Sequence, residues 1–427
     1  MAPSLAALAR RGAAALATAA VLCAVGAPAA SADSPAPATA SPKLPDGLYG
    51  DKDPQYDGVW RQSLTLLAQD AVGERPARSA VDWLTGQQCA DGSFTAFRPE
   101  PVRACDGKTL RDTNQTAVAV QALAAIGGHD DAVKKAVTWL KSVQQDDGGW
   151  SSMAGAPSDT NSTSVVIGAL AAAGEKPEAV TSKKGGKNPY DALAGLQLGC
   201  DAKDGERGAF AFQPGKDGKL APNDDATAAA ALGALGKGYL LTPTGKDADA
   251  PVTPLTCPAP GGKPDGKQAA QGAADHLVRV MKEHGHHLMS AMPGAEGQPD
   301  TGNTADAVLA LAAGGHRTAL QEPLKWLQDN GAAWAQQTGP AGYAQLVLTA
   351  HAAGTDPRAF GGTDLVAKLN ATGPKPAAAT DSPEKARDED GTDDDSGTVT
   401  WWIVGVFFVA SVGAGFLLSG RRKKNQL

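Results

Sequence analysis

The amino-acid sequence predicts an all-α protein whose helical hairpins wrap into two concentric layers, an α/α toroid. Three observations carry this. A unit made of a helix, a glycine-and-aromatic loop and a capped helix recurs along the chain. Its first helix is amphipathic: in KAVTWLKSV, Ala136, Trp139, Leu140 and Val143 share one face. Its second helix is small and apolar nearly all round, as in the SVVIGALAAAG run after Thr163, and needs burial on most sides. Such a hairpin cannot bury both faces alone, so neighbours must stack. An outer ring of amphipathic helices around an inner ring of buried ones satisfies both demands.

Taken in order, residues 1–32 read as a signal peptide. Arg10 and Arg11 precede an apolar stretch that ends in Ala30-Ser31-Ala32, a small-residue cleavage pattern. Cys23 leaves with that segment. Residues 33–45 form a Pro/Ala/Ser leader with little to bury. The toroid domain is expected over residues 46–370. It opens with a helix over about Val59 to Gln69, followed by a first repeat, SAVDWLTGQQCADGSF, the Asp112-Thr113-Asn114 start and AVAVQALAAIGG. The second repeat is KAVTWLKSVQQDDGGW with Asp159-Thr160-Asn161. A third, looser copy runs from DALAGLQLGC through Asn223-Asp224-Asp225 to AAAALGALGKG. The fourth keeps mainly its second half, Asp300-Thr301-Gly302-Asn303-Thr304 before ADAVLALAAGG, and the last pairs PLKWLQDNGAAW with GYAQLVLTAHAAG.

Beyond the domain, residues 371–399 read as an acidic Pro/Ala stalk whose charges repel one another. Residues 400–419 hold a continuous apolar run that opens on Trp401 and Trp402 and suits one transmembrane helix. Arg421, Arg422, Lys423 and Lys424 follow, so residues 420–427 form a basic cytosolic tail and the N-terminal domain lies outside the cell. The expected protein is exported and anchored by a single pass through the membrane. Its formal net charge is −7, and the basic residues of signal and tail contribute nothing to the exterior part. That balance makes nucleic acid a poor partner.

Four cysteines remain outside: Cys89, Cys105, Cys200 and Cys257. An even number in an oxidising compartment reads as two disulfides. Three connectivities are possible; Cys89–Cys105 with Cys200–Cys257 is favoured because each closes one excursion between helices. Their spacing matches no common zinc pattern.

The Lys135-Ala136-x-x-Trp139-Leu140-x-x-x-Gln144-x-x-x-Gly148-x-Trp150 pattern resembles the glutamine–tryptophan repeat of squalene cyclases and protein prenyltransferase β subunits. The first copy matches with Ser79 and Phe94 at its ends. The resemblance implies the toroid fold, with the glutamine tying down helix ends and the aromatic packing across the loop. The repeated Asp-Thr helix starts also resemble those of cobalamin carriers and of surface-anchored bacterial toroids of that branch.

In such a toroid the inner-helix starts converge near one end of the ring. Asp112, Asn114, Asp159, Asn161, Asp224, Asp225, Asp300 and Asn303 are therefore the candidate ligand-binding residues. Ordinary N-capping is the competing role for the same side chains. The carrier resemblance implies a small cofactor-like ligand such as a corrinoid, passed to a membrane importer and covered by a lid-supplying protein. A structural or adhesion module is the alternative. The cyclase resemblance implies an acid within Asp-x-Asp-Asp, met here by Pro222-Asn223-Asp224-Asp225, so a degenerate cyclase would use Asp224 and Asp225. The zinc ligand set of the prenyltransferases and the thioester motif of complement-type toroids are absent. The His284, His286, His287, Met289 and Met292 loop is read as solvated rather than metal-binding, and His351 as a satisfied core histidine.

Overall fold

A computed structural model describes residues 45–377, apart from 244, 246–248, 258–263 and 292–293. The expected signal peptide, nearly all of the leader, most of the stalk, the membrane-spanning run, the basic tail and Met292 lie outside the described residues. Among those described, no helix is long and apolar enough to cross a membrane.

The described residues form an α/α toroid. Six inner helices follow one another round the ring: α1 (Gly58–Ala71), α3 (Thr113–Ile126), α5 (Thr160–Ala172), α7 (Asp224–Ala234), α9 (Thr301–Ala313) and α11 (Pro340–Ala352). Each packs on the next, and α11 returns to α1. The outer layer holds α2 (Arg78–Gly86), α4 (Asp130–Ser142), α6 (Pro189–Leu196), α8 (Gly266–Glu283), α10 (Gln321–Thr338) and α12 (Leu365–Asn370). Composition sorts the layers. Along α5, every residue from Ser162 to Leu170 is buried, whereas α4 buries only Ala136, Val137, Trp139 and Leu140.

One joint is built repeatedly where outer helix turns into inner helix. The backbone N–H of Phe94, Trp150, Phe210 and Leu288 donates to the hydroxyl of Thr116, Thr163, Thr227 and Thr304, at 2.8, 3.1, 2.9 and 3.0 Å. Each threonine lies four residues after its helix cap, so the aromatic or leucine is pinned to the first turn. The three aromatic rings are fully buried. On the outer side a glutamine amide bridges the loop to the next unit. Gln88 Nε2 donates to the carbonyls of Gly92 and Ala132, and Gln144 to those of Gly148 and Val180. Gln197 does the same with Gly208 and Ala269. The loop glycine is required sterically: Gly148 has φ +92°, and a Cβ there would sit 2.2 Å from the Asn188 carbonyl oxygen.

Three features depart from a reading of the repeats alone. The opening helix α1 is a full member of the inner ring, although it carries buried Arg61, Gln62, Thr65 and Gln69. The fourth unit does have an outer helix, the 18-residue α8, which opens with a capping box between Asp265 and Gln268. The His-rich segment after it leads into a two-residue hairpin of β1 (Leu288–Met289) with β2 (Pro299–Asp300). There Leu288 stands in for the joint's aromatic, and the His287 ring packs on Trp326 at 4.6 Å. Among the described residues no His/Cys/Asp/Glu group has metal-binding geometry. His351, in the last turn of α11, is half-buried, and burial lowers its pKa against a backbone hydrogen bond at Leu241 and the charge of Asp70.

The ring closes through a unit divided between the two ends of the domain. Asp46-Gly47-Leu48-Tyr49 repeats the loop sequence Asp91-Gly92-Ser93-Phe94, but its outer helix is α12, at the other end. Gln62 supplies the glutamine contacts, donating to the carbonyls of Gly47 and Ala80 at 2.9 Å each. Gly50 N–H donates to Thr372 O, Tyr49 Oη to Pro374 O, and Gln69 Nε2 to Asn370 Oδ1. Ala377 N–H reaches Arg75 O. Residues 371–377, which composition groups with the stalk, thus lie across the seam. Both disulfides form with the favoured connectivity, Cys89–Cys105 and Cys200–Cys257.

Candidate functional site: the axial space

All inner helices start at the same end of the ring, and their first turns set the chemistry there. The caps are Asp112, Asp159, Asn223 and Asp300, which accept the backbone N–H of Gln115, Ser162, Ala226 and Asn303. Asp159 also accepts from the Ser162 hydroxyl, and Asp300 from Asn303 Nδ2. Burial raises the pKa of Asp112 and Asp159 against these backbone bonds. These carboxylates are spent on their own helices and do not line the axial space.

The next positions face inward. Asn114, Asn161 and Asp225 each stand two residues after a cap and line a void of about 190 Å³; Asn303 lines an adjoining one of about 170 Å³. The two share Trp60, Tyr239, Asp306 and Leu309. Of the eight residues expected at the mouth, Asn114, Asn161, Asp225 and Asn303 reach the axis. Asp112, Asp159 and Asp300 are caps. Asp224 turns the other way, toward the outer layer, where its Oδ1 lies 2.9 Å from His276 Nε2 on α8. Arg279 Nη2 donates to His276 Nδ1 at 3.4 Å, which assigns the imidazole proton to Nε2 and leaves Asp224 as its acceptor. The nominal cyclase acid position is therefore outside the axial space, with Asp225 inside it.

Further lining residues come from helix interiors and from one loop. Asp306, one turn below Gly302 in α9, accepts from Gln345 Nε2 of α11 at 2.7 Å. Gln345 also donates to Gly302 O. Asp225 Oδ2 accepts from Asn161 Nδ2 at 2.9 Å. The loop after α7 folds into the ring and floors it. Tyr239 N–H donates to Gln121 Oε1 at 2.9 Å, and Gly238 packs so close to Gln121 that a Cβ would lie 2.4 Å from that oxygen. Tyr239 meets Trp60 edge to face, with ring centroids 6.0 Å apart. Sequence reasoning missed Gln121, Asp306 and Gln345, each a single polar side chain within a mostly apolar stretch that forms no local pattern. Nothing in the loop's composition marks Tyr239.

The electrostatics are one-sided. Asp306 is pushed up to about 7 by burial, then by the charge of Asp225, against the Gln345 hydrogen bond. Asp225 is raised by burial, partly offset by Asn161, with Asp300 and Asp159 adding to the rise. Tyr239 is raised by burial and by the charges of Asp306 and Asp225. Among the described residues, no ion pair reaches Asp225 or Asp306. Asn114 Oδ1 and Asn161 Oδ1 are buried acceptors with no hydrogen-bond partner.

Residues 60–187 match the prenyltransferase alpha-alpha toroid domain family. That match and the two-layered ring support an α/α-toroid family, as the glutamine–tryptophan repeat implies. No curated protein matches the chain. Among solved structures, a type II terpene cyclase from Scytonema is 12% identical, over 75% of this chain and 90% of its own, with a TM-score of 0.42. A sugar epimerase from a ruminal bacterium is 12% identical over 73% and 93%, with a TM-score of 0.43. A protein from Actinoplanes is 16% identical over 68% and 100%, with a TM-score of 0.31.

Proposed function

We propose that this chain is a binding protein that holds a small polar ligand, or the polar end of a larger one, in the axial space. The observation that carries the reading is that Asn114, Asn161, Asp225 and Asp306, from four inner helices, turn into one void where two buried acceptors lack partners. The two adjoining voids, about 190 and 170 Å³, together reach only the lower end of drug-sized pockets, which begin at roughly 300 Å³. A corrinoid is larger still, so the internal ligand is smaller than that. Exposed Tyr56, Leu110, Met153 and Phe212 lie in the segments leading into α1, α3, α5 and α7, at the end where the caps gather. That apolar rim supports a lid supplied by a partner protein. The exported, membrane-anchored setting belongs to the same reading, supported by the disulfides together with the signal-like start and apolar C-terminal run. The test is thermal unfolding of the purified full chain against a panel of small metabolites. At least one should raise the midpoint, and Asp225→Ala should abolish the rise; a panel without effect removes the axial space as a ligand site.

A second reading, an acid-using enzyme of cyclase type, is favoured by one observation: Asp306, held near neutrality, shares its void with Trp60 and Tyr239. The acid would then be Asp306 rather than Asp224. Its substrate would be a short isoprenoid, since a chain of squalene's length exceeds the void. Turnover lost in Asp306→Asn would establish it; turnover retained in that variant would reject it.

A further inference from the structure

We propose that the axial site is built for a compact protonated amine, whose N–H donors meet the unpartnered acceptors while its charge faces Asp225 and Asp306 across the Trp60–Tyr239 pair. This rests on the ligand-binding reading above and names the chemical class.

The first argument is a pair of unmet acceptors. Wall amides of Asn161, Gln345 and Gln121 spend N–H groups on protein acceptors: Asn161 donates to Asp225, Gln345 to Asp306 and Gly302 O, and Gln121 to Val165 O. Two acceptors on side chains that line the void, Asn114 Oδ1 and Asn161 Oδ1, have no donor. A buried acceptor without a donor is costly, so the complementary ligand brings donors.

The second argument is charge. Buried carboxylates are normally paired, and among the described residues neither Asp225 nor Asp306 has a cationic partner. Lys237 is the one basic residue on the wall of the larger void, and it is exposed on the floor loop. A cation entering this space would occupy the place a structural lysine or arginine fills elsewhere. The third argument is the aromatic pair, which belongs to both voids and attracts a cation through its ring faces. A metal ion would need a group of three suitable ligands, and among the described residues no such group forms. Adjoining voids of about 190 and 170 Å³ limit the ligand, or the part inside the ring, to a compact molecule.

The experiment is ligand-detected NMR titration of the full chain at pH 8 with n-butylamine, its neutral counterpart 1-butanol, and tetramethylammonium, which has charge but no N–H. Butylamine should bind at least tenfold more tightly than either. Asp225→Asn and Asp306→Asn, which keep shape and remove charge, should each weaken it at least tenfold. Circular dichroism of both variants checks that the ring is intact, and Asp306→Glu should restore part of the affinity. Equal binding of 1-butanol, or unchanged affinity in both variants, would overturn the amine assignment and leave the axial site standing. The assignment also falls if none of the three probes binds while a neutral metabolite does so in an Asp225-dependent way. If nothing shifts the chain at all, the ligand-binding reading falls with it.

Discussion

At the scale of single residues, a step of two positions along a helix start separates cap from site. In Asp159-Thr160-Asn161 the cap carboxylate is consumed by its own helix and the asparagine two places on looks down the axis. Asn223-Asp224-Asp225 runs the same way, so the second of two adjacent acids is the axial one. The sequence made the set of polar starts legible, because caps are local. Which members face inward depends on helix phase relative to the ring, which only packing fixes. Asp306 was overlooked because a single acid within ADAVLALAA gives no local pattern. Its titration is now testable. A carboxyl near 7 in the folded chain and near 4 when unfolded is protonated in both states below pH 4. Between about pH 4 and 7 the unfolded form ionises first, so stability falls as pH rises, by up to about 4 kcal/mol. Burial sets most of the rise in its pKa, the charges of Asp225 and Asp300 add to it, and the Gln345 hydrogen bond opposes it. Asp306→Asn should therefore raise the unfolding midpoint at pH 8 and leave it nearly unchanged at pH 4, as followed by circular dichroism. An amine ligand should act in the opposite sense on the same group, binding more tightly as pH rises through 7.

At the scale of elements, the joint between outer and inner helices is the repeating unit of stability. Its members were legible as Gln144, Gly148 and Trp150, since the motif is contiguous, but the threonine four residues past each cap was not assigned. Removing the hydroxyl in Thr163→Val leaves the buried Trp150 N–H without an acceptor and should destabilise by about 1–3 kcal/mol. Gly148→Ala should do more, because the left-handed backbone and the Asn188 carbonyl both oppose a Cβ. Denaturant midpoints of the two variants test that order. The outer helix α8 escaped the repeat reading because it has no tryptophan and no glutamine–glycine–aromatic loop. Its burial instead comes from small residues, Ala269, Ala270, Gly272, Ala273 and Ala274, with Leu277 and Met281. Alanine-rich faces pack closely but give a weak hydrophobic signal.

At the scale of the whole molecule, the two-layered ring follows from the two helix compositions, and its members were mostly legible. The closure was not, because a unit divided between distant ends has no contiguous pattern to recognise. The disulfides staple two loops, with sequence separations of 16 and 57 residues. Chain-entropy reasoning assigns them roughly 3 and roughly 4 kcal/mol. Reduction under native conditions should lower the unfolding midpoint accordingly, Cys200–Cys257 contributing the larger share; alanine replacement of each pair separates the two.

The divided unit also governs when the molecule can become whole. Tyr49 and Pro374 are 325 residues apart in sequence, so the opening segment waits for a partner synthesised long after it. Until then five hairpins can form an arc while the opening segment stays exposed, with Gln69 lacking its Asn370 contact and Tyr49 its Pro374 carbonyl. Bringing such ends together carries an entropy penalty that grows only slowly with separation, a few tenths of a kcal/mol for modest changes in length. Delay, more than energy, is the hazard: an arc with a free edge can accept the opening helix of another copy and propagate as a chain of exchanged ends.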